Sequence, residues 1–313
     1  MGRMYQRVRT GIRGLVSKSD PRTAIGQSLN MLNLSWAEVS GVNWQAQKPR
    51  VDFHPSPGLL TQHEMLTPEF GYWMHAIKEE PRWHRKQWEY FFALQSVWAK
   101  FSGELEGKTA LVFGAGFDPI PALLASLGVQ VLITDYRTGP NAEAWAKTNQ
   151  LSLDLGDFNS SGICPESLFL ERCSYQDVDM NAIPDEFAGR FDMVFSFCAL
   201  GHIGSYDAGL RFVRNSARAL RSGGIGVHTT ELDFSRELPI MDTPNLSLYR
   251  EENLDDTLRS IAEQGFLVPR HRFTPGRGFL ETYLDRPPYG TPHLRVDVLG
   301  HQVSTFAFLF ERP

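Results

Sequence analysis

The chain reads as an α/β protein: a mostly parallel sheet with helices on both faces, a closing C-terminal antiparallel hairpin, and a helical N-terminal region. Three observations predict this. From Lys108 onward, short apolar runs alternate with amphipathic segments of helical length, the pattern of a parallel sheet covered on both sides. Before it, from Pro68 to Phe101, large apolar residues recur at helical spacing. After Phe266 the text turns to paired strand-like runs, with Val303 to Phe310 the last of them.

Taken in order, residues 1–58 form an extension with few periodic signals and several turn-formers, as in His54-Pro55-Ser56-Pro57-Gly58. Residues 59–107 read as a helical lid or cap. Tyr72, Ile77, Trp88, Phe91, Phe92, Leu94, Val97, Trp98 and Phe101 carry its periodicity, and Pro81 splits it into two helices. Residues 108–313 form the third region. It predicts strands at Ala110–Phe113, Val129–Thr134, Cys173–Gln176, Phe191–Phe197 and Ile225–Thr230. Helices are expected over Pro119–Leu127, near Ala142–Asn149, over Ala208–Leu220 and over Leu254–Gln264. Asp207 would cap the third of these and Gly223-Gly224 would end it.

With 313 residues, 42% hydrophobic and 21% charged, the composition is that of a soluble globular chain. A net charge of −5 and a pI near 6.0 argue against nucleic-acid binding as the main task. Met1–Arg22, with five arginines and one lysine against one aspartate, is the local exception: a solvated tail, or a weak peripheral contact with a membrane surface or acidic partner. The most apolar window, Ala110–Ile133, is broken by glycines, prolines and Asp118, so no transmembrane helix is expected and the reading is cytoplasmic. Cys164, Cys173 and Cys198 form no CxxC pair and read as reduced, buried small hydrophobes.

The chemistry begins at Leu111-Val112-Phe113-Gly114-Ala115-Gly116-Phe117-Asp118-Pro119, a strand, a glycine turn and a helix start. Glycine at 114 and 116 allows a sharp turn and a close ligand approach. Asp135, nineteen residues past Gly116 and ending the next strand, is placed to accept ribose hydroxyls. A dinucleotide loop of the GxGxxG kind would have glycine at 119; here it is proline, and Asp118, at the expected helix cap, would repel a pyrophosphate. S-adenosylmethionine carries no phosphate but does carry an ammonium and a sulfonium, so the loop fits it better. Asp179 and Met180, closing the third strand, would serve the adenine amino group and ring, and Tyr136 would stack on it. Asp177 would face solvent or cap a turn. Ala115, Asp118 and Cys198 complete the expected cofactor set.

Several strings in one order also resemble a poorly characterised family of bacterial class I, Rossmann-like methyltransferases often found among polysaccharide-assembly enzymes. They are His84-Arg85-Lys86-Gln87-Trp88-Glu89, the Gly114 loop, and Asp177-Val178-Asp179-Met180-Asn181-Ala182-Ile183-Pro184. Cys198-Ala199-Leu200-Gly201-His202-Ile203-Gly204-Ser205, Val227-His228-Thr229-Thr230-Glu231, and Pro287-Pro288-Tyr289 with His293-Leu294 follow. The resemblance implies the fold, S-adenosylmethionine as cofactor, and a sugar or glycan acceptor. Two positions depart from the family pattern: Gly201 and Asp118 stand where glutamate is usual.

Methyl transfer to a hydroxyl needs positioning and a group to take the proton. Loops after the fourth and fifth strands offer His202 first, then His228 and Glu231. These three have ligand-type side chains, but nothing in their spacing demands a metal, and none is expected. His84, Arg85 and Trp88 would line the acceptor from a helical lid, with Arg85–Glu89 readable simply as a surface pair. Tyr283, Asp285, Tyr289 and His293 would line the acceptor pocket, rings stacking on a carbohydrate and carboxylates accepting its hydroxyl protons. The expected activity is O-methylation of a sugar, glycan or hydroxylated metabolite. The alternatives are N- or O-methylation of a natural product or peptide, and a non-catalytic nucleoside-binding regulatory module.

Overall fold

The computed structural model describes residues 47–139, 142, 151–152 and 154–313. Met1–Arg22, most of the 1–58 extension and, apart from Ala142, the helix expected near Ala142–Asn149 lie outside the described residues. In chain order the elements are β1 (Gly58–Leu59), α1 (Gln62–Met65), α2 (Pro68–Ala76), α3 (Arg85–Lys100), β2 (Thr109–Phe113), α4 (Ile120–Ser126) and β3 (Gln130–Asp135). Then come α5 (Glu166–Arg172), β4 (Cys173–Asp177), β5 (Phe191–Phe197), α6 (Tyr206–Ser216), β6 (Leu220–Asp233), β7 (Asp242–Thr243) and β8 (Leu246–Ser247). The chain ends with α7 (Glu251–Glu263), α8 (Phe279–Thr282), β9 (Leu284–Asp285), β10 (Arg295–Val298) and β11 (His301–Glu311).

The main sheet runs β4-β3-β2-β5-β6-β11-β10-β9. β2 to β6 are mutually parallel, and β11 enters antiparallel between β6 and β10. The mostly parallel sheet with a closing antiparallel hairpin is therefore present. The order reverses between β2 and β5, and the carboxyl ends of these two strands flank the crevice where open α/β sheets bind ligands.

Side-chain alternation sends each strand into two cores. Ala110, Val112, Ile225 and Val227 join α2, α3 and α4 on one face, while Leu111, Phe113, Phe308 and Phe310 join α6 and α7 on the other. α3 is buried along nearly its whole length, because its aromatics point both to the sheet and outward to α2. Trp73 and Gln95 lock those two helices with a 2.9 Å bond. Residues 68–101 thus form a layer of the main core.

Some expected boundaries shift for local reasons. Ser205, not Asp207, caps α6, its hydroxyl accepting from Ala208 N at 3.2 Å. The helix stops at Ser216 because β6 begins at Leu220, so Gly223 and Gly224 lie inside a long strand and cap nothing. α3 starts after His84, three residues beyond Pro81, with the imidazole Nδ1 accepting from Lys86 N at 3.2 Å. Cys164 and Cys173 are buried free thiols and Cys198 is half-buried. Among the described residues, no helix is long and apolar enough to cross a membrane.

Candidate cofactor and acceptor site

The turn after β2 is built from backbone. Gly114 and Gly116 hold φ of 57° and 54°, the left-handed region that glycine enters without strain. A Cβ on Gly114 would lie 2.7 Å from the Ala199 Cβ and 3.4 Å from Met180 Sδ. Loops following β2, β4 and β5 therefore converge on this one residue. Gly116 N donates to Asp135 Oδ2 at 2.9 Å, and Tyr136 N donates to Oδ1 at 2.9 Å. Each Asp135 oxygen retains a second lone pair for a ligand hydroxyl. Burial raises the Asp135 carboxyl, against the pull of those two backbone donors.

The helix that follows excludes a pyrophosphate more firmly than the sequence argument did, and for another reason. Pro119 is its N-cap and Pro121 lies in its first turn, so two of the backbone donors a phosphate would use do not exist. Asp118 is not the cap. It turns away, buried, and accepts from Tyr90 Oη at 2.5 Å, with Lys86 Nζ 3.5 Å off. Burial pushes its carboxyl up to about 6, while Lys86 and the Tyr90 bond hold it down.

Asp179 accepts from Asn181 N at 2.8 Å and Met180 is buried beneath Gly114. Tyr136 is 39% exposed at the end of β3, as Phe117 is at 36% in the glycine turn itself. Asp177 caps the next turn, accepting from Arg137 N and Thr138 Oγ1, both at 2.7 Å.

Across the switch point the wall is made of charge. Arg85 Nη1 lies 2.8 Å from Glu231 Oε1, 3.5 Å from Glu89 Oε1 and 3.7 Å from Cys198 Sγ. Lys86 Nζ reaches the Phe197 carbonyl at 3.1 Å and Glu89 Oε2 at 3.4 Å. Glu89, fully buried, also accepts from Thr229 Oγ1 at 3.0 Å, Thr305 Oγ1 at 3.1 Å and the Cys198 thiol at 3.3 Å. Arg85–Glu89 is therefore part of a buried network, and the surface-pair reading is corrected. Burial would raise the Glu231 carboxyl, but the Arg85 guanidinium overrides it and the pKa falls. Burial keeps Cys198 a neutral thiol, with φ of 54° as the chain turns out of β5.

Several expected site residues fall elsewhere. His228 is fully buried on the opposite face of β6 from Thr229 and Glu231, as alternation demands. Its Nδ1 pairs with Ser196 Oγ at 2.7 Å and its Nε2 with Ser216 Oγ at 3.1 Å, between Phe212, Phe308 and Phe310. Burial lowers its pKa to about 3. It is a core histidine, neither base nor metal ligand, and among the described residues no metal-binding cluster of His, Cys, Asp and Glu occurs. Trp88 is likewise corrected: it is fully buried in the α3 core, its Nε1 donating to Glu64 Oε2 at 2.9 Å, and lines no acceptor space.

His202 does sit at the loop after β5, half-buried, with Nδ1 2.7 Å from the Asn245 carbonyl. A carbonyl only accepts, so the proton is on Nδ1 and Nε2 is the basic atom. Gly201 beside it is pressed on β8: a Cβ there would meet the Ser247 carbonyl at 2.8 Å, which leaves no room for the glutamate of the family pattern. Tyr283 is half-buried just before β9. His84 and His293 stack at 4.7 Å, and Arg85 N donates to the His293 carbonyl at 2.9 Å. His293 Nδ1 meets Asp285 Oδ2 at 2.6 Å, while Tyr289 packs edge-on at 5.4 Å and donates its hydroxyl to the Asp297 carbonyl at 2.6 Å.

Sequence reasoning missed Lys86, Thr229 and Thr305, and undervalued Glu89. A signal for Glu89 existed: it stands in Trp88-Glu89-Tyr90-Phe91-Phe92, flanked by aromatics within a helix, where a buried carboxylate must find partners.

No family model matches the chain, and no curated protein matches it. Solved structures similar to it include a magnesium protoporphyrin IX methyltransferase from Synechocystis PCC 6803 with bound SAH, at 12% identity, covering 72% of this chain and 87% of that one, TM-score 0.39. The glycopeptide N-methyltransferase MtfA complexed with sinefungin is similar at 14% identity, 74% and 87% coverage and TM-score 0.41. The methyltransferase domain of bacterial CtHen1 is similar at 14% identity, 70% and 96% coverage and TM-score 0.41.

Proposed function

We propose that the chain is an S-adenosylmethionine-dependent methyltransferase acting on a hydroxyl of a sugar, glycan or related metabolite. The observation that carries this reading is the Gly114–Gly116 turn at the switch point, with Asp135 anchored to Gly116 N and prolines at the start of the following helix. Such a site takes a nucleoside through its ribose and offers no cradle for a pyrophosphate. The residues present fit S-adenosylmethionine: the left-handed Gly114 is the closest approach of three loops, Met180 supplies an apolar wall, and Asp135 keeps acceptor capacity for the ribose.

Bound there, S-adenosylmethionine supplies a methyl group on a sulfonium, already a good leaving group. The chain's own task is orientation, proton removal and exclusion of water. Arg85 reaches Cys198 and Glu231, His202 follows Cys198 four residues on in the same loop, and His293 pairs by backbone with Arg85. Their mix of carboxylate, imidazole and guanidinium suits a neutral hydroxylated acceptor, which both donates and accepts hydrogen bonds. Incubating the chain with methyl-labelled S-adenosylmethionine and panels of sugars, glycans, peptides and amines tests the proposal. Label transferred to a hydroxyl of a saccharide is the expected result. Transfer only to amines or peptides would overturn the acceptor class, and tight binding without any turnover would favour a regulatory module.

A further inference from the structure

We propose that His293, held by Asp285, is the catalytic base that takes the acceptor's proton, in place of His202. The inference rests on the methyltransferase reading above and assigns a role within that site. Asp285 is buried in β9 at 2% exposure, and its two oxygens also accept from Gly290 N at 3.1 Å each. A carboxylate only accepts, so the 2.6 Å contact places the proton on His293 Nδ1 and leaves Nε2 basic. His84 covers one face of the ring and Tyr289 packs edge-on, while the Asp285 bond takes up Nδ1 and no described residue hydrogen-bonds Nε2.

Position follows from a short chain of contacts. His293 pairs by backbone with the first turn of α3, the Arg85 side chain crosses to Cys198 and Glu231, and the Cys198-Ala199 turn packs on Gly114. The charged and titratable groups facing His293 are Asp285 from β9, His84 and Arg85 from the start of α3, and Tyr289 from the loop between β9 and β10. Burial, offset by the Asp285 bond, keeps the ring neutral and ready to accept.

His202 lacks one element of this arrangement. Its Nδ1 partner is an uncharged carbonyl on an exposed loop, whereas Asp285 is a buried anion that stabilises the imidazolium as it forms. In the step itself the acceptor oxygen forms the new O–CH3 bond as the S–CH3 bond breaks. The bonding pair stays on sulfur, which becomes a thioether, and the hydroxyl proton passes to His293 Nε2 and later to solvent. Asp285 is a positioning residue: it fixes the tautomer.

The test is histidine 15N NMR on the full chain, with His293→Gln and His202→Gln spectra for assignment, recorded free, with S-adenosylhomocysteine and with sinefungin. Sinefungin places an ammonium where the methyl-bearing sulfonium lies, so an imidazole facing that point titrates lower in its complex than with S-adenosylhomocysteine. The expected result is a proton on Nδ1 of His293, a drop of about one pH unit between the two complexes by mutual repulsion of like charges, and no such drop at His202. In Asp285→Asn the His293 tautomer signature is expected to change while S-adenosylhomocysteine still binds. A shift at His202 instead, or a proton on His293 Nε2, would overturn the assignment. Failure of both ligands to perturb any signal would overturn the methyltransferase reading itself, and this proposal with it.

Discussion

The two halves of the crevice are made by different means. On the β2–β3 side the ligand wall is backbone: a glycine turn, strand-end amides and one carboxylate, with partners close by in sequence such as Gly116 and Asp135. On the β5–β6 side it is a buried web of side chains drawn from α3, β5, β6 and β11, in which Arg85 meets Glu231 and Glu89 meets Thr305. A backbone site tolerates little change of residue type but is simple to encode. A side-chain web can be rewritten to suit another acceptor, at the risk of stranding a buried charge.

The largest effect should come from the web. Glu89→Ala strips two cations and two threonines of their common partner, and breaking such a buried pair costs about 3–5 kcal/mol. Urea denaturation reads this, and a loss below about 1 kcal/mol would mean the web is screened like a surface pair. On the backbone side, Gly114→Val forces a β-branched residue to φ of 57° and a Cβ onto Ala199. Strain of about 2 kcal/mol should weaken S-adenosylhomocysteine binding roughly thirtyfold, with the α3 web intact.

A third experiment separates the core histidine from the site. His228 is lowered by burial to about 3, while in the unfolded chain it titrates near its ordinary 6.5. Between those values the unfolded chain binds a proton that the folded chain does not, so this contribution rises with pH. Stability is lost as pH falls below about 6.5, with a slope approaching 1.4 kcal/mol per pH unit. Asp118, pushed up to about 6, acts in the opposite sense, so the difference between wild type and His228→Gln isolates the histidine. The smallest effect is expected for His202→Ala. Its ring is half-buried on a loop, and turnover should fall by less than about tenfold, a barrier change under about 1.4 kcal/mol.

The same contrast explains what the sequence made legible. β2, β3, β5 and β6 could be read because apolar runs of strand length leave few alternatives, and the Gly114–Asp135 pair because its parts lie one βαβ unit apart. The web could not be assembled that way. The bonds that tie α3 to the sheet join residues more than a hundred apart, from Glu89 and Cys198 at 109 to Arg85 and Thr305 at 220. His228 was misplaced for a simpler reason: 228 and 231 differ by an odd number and so take opposite faces of one strand, a rule available from the sequence itself. Trp88 was assigned to a lid because helical spacing says which residues share a side, not what lies against it. Asp118 was placed at a helix cap because nothing local announces that Tyr90 and Lys86 reach it from α3.

The most direct test of the central claim is calorimetric titration of the purified chain with S-adenosylhomocysteine and with NADH, in wild type and Asp135→Ala. The account predicts that S-adenosylhomocysteine binds wild type, that Asp135→Ala loses most of this affinity, and that NADH does not bind, because Pro119 and Pro121 remove two of the backbone donors its pyrophosphate would use. Binding of NADH, or S-adenosylhomocysteine affinity indifferent to Asp135, would contradict it.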